Sequence, residues 1–180
     1  LLTDFYALTM MQGYLETNKQ NEIVVFDVFY RINPQNGGYA IVAGLEQIID
    51  YIKNINFSED DILYLRSLNK FNEKFLSYLK DFKFTGDIYA IPEGTVVFPK
   101  EPLLTIKAPI IEAQLLEACL LNILNHQSLI ATKASRIVLS ADGDNVLEFG
   151  LRRAQGPDAG IYGARAAIIA GCSSTSNVLC

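Results

Sequence analysis

Val146-Leu147-Glu148-Phe149-Gly150-Leu151-Arg152-Arg153-Ala154-Gln155-Gly156-Pro157-Asp158, with the run to Ala170, Gly171 and Ser173-Ser174-Thr175-Ser176 behind it, decides the fold class. Val146 to Leu151 reads as a strand. Asp158 can cap a helix running to Ala170, Gly171 stops it, and Ser173 to Leu179 reads as the next strand. Strand, helix and strand in succession favour parallel pairing. Upstream, Pro109 suits a helix first turn. An almost wholly apolar helix runs from there to about His126, a further helix runs through Leu139, and Ala141-Asp142-Gly143-Asp144 is a turn. Residues 109–180 therefore open an alternating β/α array. A closed eight-stranded barrel takes about 200–250 residues, so only its first strands fit here.

Toward the N-terminus the texture changes. Phe5, Leu8, Met11 and Leu15 share a helical stripe, with Thr3 or Asp4 as cap. Glu22 to Ile32 alternates as a strand and Tyr39 to Ala43 returns as another. Gly44 opens a helix with Leu45, Ile48, Ile49 and Ile52 inward. Ser58 caps a third, and Phe71, Phe75, Leu79 and Phe82 mark a fourth. Short strands at 88–91, 95–98 and 103–106 are separated by the turn sequences Pro92-Glu93-Gly94 and Pro99-Lys100-Glu101-Pro102. The expected fold is α/β: an α+β N-terminal domain over 1–108, then the start of a barrel over 109–180 that is incomplete at its C-terminus. The chain opens at Leu1 and ends inside an apolar segment, so truncation at both ends is expected.

Of the 180 residues, 50% are hydrophobic and 19% charged, which excludes disorder and coiled coils. A net charge of −5 argues against a nucleic-acid or anionic-membrane surface, but leaves room for a small phosphorylated substrate that needs only local cations. The three cysteines form no C-x-x-C and, with one histidine, no spaced zinc site; they read as reduced thiols in the cytoplasm. No apolar run reaches the ~18 residues of a membrane span. Thr3 and Asp4 interrupt any signal peptide.

The segment from Glu148 to Asp158 lies where a strand hands over to a loop, the end at which α/β folds place ligands. Arg152 and Arg153 can grip phosphate, and Phe149 can stack on a flat ring. The same residues also fit a core phenylalanine and two surface arginines in salt bridges. Ser173 to Ser176 can donate to an anion, or form a polar loop. His126 reads as a helix-terminal or satisfied core residue, and Lys100 as a structural turn. Phosphate-loop, dinucleotide, nucleophile-elbow and zinc-protease templates are absent.

Several segments together resemble the nicotinate phosphoribosyltransferase family: Leu1-Leu2-Thr3-Asp4-Phe5-Tyr6 with Thr9-Met10, Phe29-Tyr30-Arg31, Gly37-Gly38-Tyr39-Ala40, Ala43-Gly44-Leu45, Pro92-Glu93-Gly94 and Pro102-Leu103-Leu104. The run from Glu148 to Asp158, with Ser174-Thr175-Ser176-Asn177-Val178-Leu179 after it, is the strongest piece. The resemblance implies a type II phosphoribosyltransferase: an α/β N-terminal domain on an irregular β/α barrel, acting as a homodimer. It implies joining nicotinate to 5-phosphoribosyl 1-diphosphate, giving nicotinate mononucleotide and diphosphate in NAD biosynthesis, with ATP and Mg2+ coupled.

By the same resemblance, Tyr6 covers the pyridine ring across the dimer and Phe149 faces it from the other side. Arg152 holds phosphate of the ribosyl group with Arg153 as a second, and Ser176 stands where a nicotinamide-using relative has aspartate. The family's phosphorylated histidine, in Gly-Thr-x-Ala-His-Ser, falls beyond Cys180, and His126 does not occupy that position. No catalytic residue and no ATP or metal motif is therefore expected within these residues, which should be inactive alone. Gly171-Cys172-Ser173 departs from the family's Gly-Phe-Asp. A relative using nicotinamide or quinolinate, or a carrier module centred on 84–107, remains the alternative.

Overall fold

The computed structural model describes residues 2–180. In chain order its elements are α1 (Phe5–Glu16), β1 (Ile23–Val28), β2 (Ala40–Ile41), α2 (Leu45–Asn54), α3 (Glu59–Ser67), α4 (Glu73–Lys80), β3 (Asp87–Ala90), β4 (Val96–Val97), β5 (Leu104–Pro109), α5 (Ile110–Ser140), β6 (Leu147–Glu148), α6 (Pro157–Ile169) and β7 (Ser174–Thr175). Short 3-10 turns cover Pro34–Asn36 and Leu151–Arg153. The chain gathers into two compact units, each assembled from three segments: 1–27, 48–89 and 105–120 in the first, 28–47, 90–104 and 121–180 in the second. The change of texture at 108/109 falls at the junction of β5 and α5.

The first unit is built on α1, α3, α4 and the opening of α5. Leu8, Met11 and Leu15 of α1 pack with Ile62, Leu65, Phe75, Leu76, Leu79, Ile111 and Leu115 in one apolar cluster. Phe5, on the same helical stripe, is half exposed. Ser58 starts α3 through a capping box. Its hydroxyl accepts from Asp61 N–H at 3.1 Å, and the Asp61 carboxylate accepts from Ser58 N–H at 2.8 Å. A three-stranded sheet runs in the order β1-β5-β3.

The second unit holds the antiparallel pair β2/β4 and the parallel pair β6/β7. Leu147 pairs with Ser174 and Glu148 with Thr175, so β6-α6-β7 is the expected parallel β-α-β unit. Ala131 of α5 and Ala166 of α6 pack with Ile41 and Ala43, and Ala134 packs with Ala167 and Cys172. Alanines at these positions let the helices approach closely.

Several expected boundaries move. The two helices expected after Pro109 are one helix of 31 residues, because nothing from Ile110 to Ser140 is glycine or proline to break it. Pro109 closes β5 instead of opening a helix. Gly156 is the N-cap of α6, with Pro157 in its first turn and Asp158 behind it. The strands expected over 146–151 and 173–179 keep two residues each, because Leu151–Arg153 curls into the 3-10 turn and Asn177 N–H donates to the Thr175 hydroxyl at 3.0 Å. In α2 only Ile48 is buried; Ile49 faces outward. Among the described residues, no helix is long and apolar enough to cross a membrane.

Candidate functional site

Phe149 and Ser176 each follow the last paired residue of a parallel strand, β6 and β7 respectively. That carboxyl end is where α/β folds receive ligands. Glu148 organizes it: its Oε2 accepts the Thr175 hydroxyl at 2.6 Å, its Oε1 accepts Gly150 N–H, and its carbonyl accepts Ser176 N–H at 3.0 Å. Ser176 is thereby tied by backbone to the residue immediately before Phe149. Phe149 is 64% exposed, and Arg152 and Arg153 are exposed on the 3-10 turn that follows. Arg153 N–H donates to Gly150 O at 2.7 Å, which tightens the turn.

Four of the five residues expected at a site therefore share one strand end of the second unit: Phe149, Arg152, Arg153 and Ser176. Tyr6, on α1 of the first unit, is 48% exposed, and its hydroxyl donates to Glu117 at 3.2 Å.

Beside this strand end lies a cavity of about 430 Å³ whose walls include His126, Arg153, Gln155, Gly160 and Gly163. Phe149, Arg152 and Ser176 are not among its lining residues. His126, expected as a helix-terminal or a satisfied core residue, sits inside α5 with its ring hydrogen-bonded. Its Nε2–H donates to Ala159 O at 3.1 Å, so the ring is held by the start of α6.

Two residues that sequence reasoning did not single out anchor the second unit. Glu93, in the turn between β3 and β4, accepts Gly44 N–H at 2.5 Å and Leu45 N–H at 3.1 Å through Oε1. These are amides at the start of α2, where a carboxylate is favoured. Arg165 of α6 meets the same carboxylate with both terminal nitrogens, at 2.8 and 2.7 Å, and also reaches Gln127 at 3.1 Å and Glu46 at 2.6 Å. Gly44, at φ +112°, brings its backbone against Ile123 and Gln127, where a β-carbon would sit 3.0–3.4 Å from their atoms. The sequence signal for this cluster was Pro92-Glu93-Gly94, read only as a turn.

Burial alone would raise the Glu93 carboxyl; the Arg165 guanidinium and the two α2 amides outweigh it and hold the group below its ordinary range. A depressed folded-state pKa adds stability that is present above the unfolded value, ~4.3, and is lost as pH falls through the folded value. Glu93→Gln is therefore expected to lower stability at pH 7 by about 2 kcal/mol, less than for a wholly buried pair. The gap between wild type and variant should narrow steadily below about pH 4.3. Denaturant melts at pH 7 and at stepped acid pH check both; a gap independent of pH would refute the assignment.

The family model described as the nicotinate phosphoribosyltransferase N-terminal domain matches residues 1–125. A nicotinate phosphoribosyltransferase of Mycobacterium tuberculosis is 44% identical over 179 residues, covering 99% of this chain and 38% of that protein. The crystal structure of human nicotinic acid phosphoribosyltransferase superimposes with a TM-score of 0.92 at 36% identity, covering 99% of this chain and 36% of that one. The structure of a nicotinate-nucleotide pyrophosphorylase from Pyrococcus furiosus gives 0.75 at 29% identity, covering 98% and 38%. The fold is that of the matching part of these pyridine-nucleotide phosphoribosyltransferase structures. The chain belongs to the nicotinate phosphoribosyltransferase family, and it spans rather more than a third of the length of these relatives.

Proposed function

We propose that the full-length protein joins nicotinate to 5-phosphoribosyl 1-diphosphate, forming nicotinate mononucleotide and diphosphate. The observation that carries this reading is the Phe149 to Arg153 turn at the carboxyl end of β6, with Ser176 tied to Glu148 beside it. Arg152, with Arg153 second, holds phosphate of the ribosyl substrate through charge-assisted bonds. Phe149 supplies one face of the pyridine slot, and Tyr6 of a second subunit the other. Ser176 donates to the carboxylate of the base.

In this reading residues 1–108 form an α+β N-terminal domain and 109–180 begin the β/α barrel. The enzyme is a cytoplasmic homodimer, and ATP with Mg2+ supplies a coupled hydrolysis through a phosphohistidine outside these residues. Nothing in residues 2–180 groups three or more metal-ligating side chains, and no phosphate-loop sequence is present, so no residue here is assigned to the nucleotide or the metal.

Presenting nicotinate, nicotinamide and quinolinate in competition to the full-length protein tests the choice of base. Nicotinate is expected to be used at least tenfold faster than either rival at equal concentration. Preferential use of quinolinate or nicotinamide would replace this reading with its runner-up.

Tyr6 is expected to act across subunits. Mixing impaired Tyr6→Ala subunits with impaired Arg152→Ala subunits should restore wild-type activity at one of the two sites of the mixed dimer. No recovery in verified heterodimers would mean that Tyr6 serves its own subunit or only its helix.

A further inference from the structure

The Glu93–Arg165 cluster is mostly shielded from solvent, with side chains 19% and 25% exposed. A pair of this kind adds little net stability over well-packed apolar residues of the same volume. What it supplies is direction. A planar guanidinium bonded to Glu93 twice, to Glu46 and to Gln127 fixes the rotation of α6 about its own axis. A second anchor lies one turn or more toward the helix start, where His126 donates to Ala159 O. His126 and Gln127 are adjacent on α5, so neighbouring residues of one helix hold α6 at two separate points.

Between these anchors lies Gly160. The face of α6 at Gly160 packs on the 3-10 turn: a β-carbon there would stand 2.5 Å from Leu151 Cδ1, the tip of the turn's first side chain, and 3.6 Å from Ala154 Cβ. Leu151 leads directly into Arg152 and Arg153. A rotation or slide of α6 would move that turn with it.

We propose that Arg165, clasped by Glu93, is a positioning residue that sets the Leu151–Arg153 turn through α6. The proposal rests on the reading of Arg152 as the phosphate-holding group, and adds to it how that group is kept in place. Neither Arg165 nor Glu93 lines the cavity beside the strand end.

Two readouts on the full-length protein test it. In kinetics, Arg165→Met is expected to raise KM for phosphoribosyl diphosphate about tenfold while kcat and KM for nicotinate stay within about threefold. Arg165→Lys, which keeps the charge but not the fork, should recover part of the loss. Placed on top of Arg152→Ala, Arg165→Met should change kcat/KM by less than about twofold, because the two act through one contact. Additive effects, or an equal rise in both KM values, would overturn the proposal.

The second readout needs no activity. Amide hydrogen exchange over residues 150–155 should quicken about tenfold or more in Arg165→Met, with α3 and α4 unchanged. Unchanged exchange there would overturn the proposal even if kinetics shifted. Should Arg165→Met fail to fold, Arg165→Lys carries the same two measurements with smaller changes in the same direction. A wild-type protein with no transferase activity would remove the proposed function instead, and exchange alone would then decide whether the clasp sets the turn.

Discussion

Arg152→Ala in the full-length protein is expected to lower kcat/KM for phosphoribosyl diphosphate by about 30-fold or more, with little change in melting temperature. The side chain is exposed at the head of a turn, and among the described residues it enters no salt bridge. A surface arginine locked in an ion pair would have carried at most ~1 kcal/mol of stability and nothing in kinetics. A guanidinium left without an acidic partner at the ligand end of two parallel strands is available for an anion. Losing a charge-assisted contact from a partly dry site costs about 2–5 kcal/mol, which corresponds to 30-fold at its lower end. Arg153 lines the neighbouring cavity and Arg152 does not, so Arg153→Ala is the matched control. If Arg153→Ala has the larger kinetic effect, the phosphate sits one residue along the turn from its proposed place.

The other large effect concerns the base. Nicotinate carries a carboxylate at neutral pH and nicotinamide an uncharged amide. A hydroxyl at Ser176 can donate to the carboxylate, whereas aspartate there would set two anions within a few ångströms of each other. Ser176→Asp is therefore expected to cut kcat/KM for nicotinate by about 100-fold or more, while any trace use of nicotinamide holds or rises. The backbone supports this register. Ser176 N–H is bonded to Glu148 O, next to Phe149, whereas the Thr175 hydroxyl is already committed to Glu148 Oε2. Ser174→Asp is the control, and an effect there with none at Ser176 would move the donor by two residues.

The legibility of the fold followed the range of the signal. The cap at Ser58, the stop at Gly171 with φ +106° and the parallel pairing of β6 with β7 rest on local chemistry or on the order of elements, and these were readable. The continuity of α5 was not. The polar run Asn125-His126-Gln127-Ser128 after an apolar stretch read as a helix end, and the lack of glycine or proline from Ile110 to Ser140, the signal of continuity, was not weighed against it.

The Glu93–Arg165 clasp was hidden for another reason. Its partners are 72 residues apart, and nothing local to Pro92-Glu93-Gly94 distinguishes an acceptor of helix amides from a turn residue. Glu148 was quoted within its motif, but its bond to Thr175 spans 27 residues and follows only from the parallel register. The assembly of each compact unit from three separate segments is a packing outcome of the same kind.

The strand end carrying Phe149, Arg152 and Ser176 is proposed to belong to an enzyme that couples nicotinate to a phosphoribosyl group. The most direct measurement is simultaneous quantitation of nicotinate mononucleotide and diphosphate formed by the full-length protein from nicotinate and phosphoribosyl diphosphate, with ATP and Mg2+ present. The expected result is equal molar formation of both products, falling about 30-fold or more in Arg152→Ala at subsaturating phosphoribosyl diphosphate. Absence of the mononucleotide from a folded wild-type protein, or its formation undiminished in Arg152→Ala, would contradict the account.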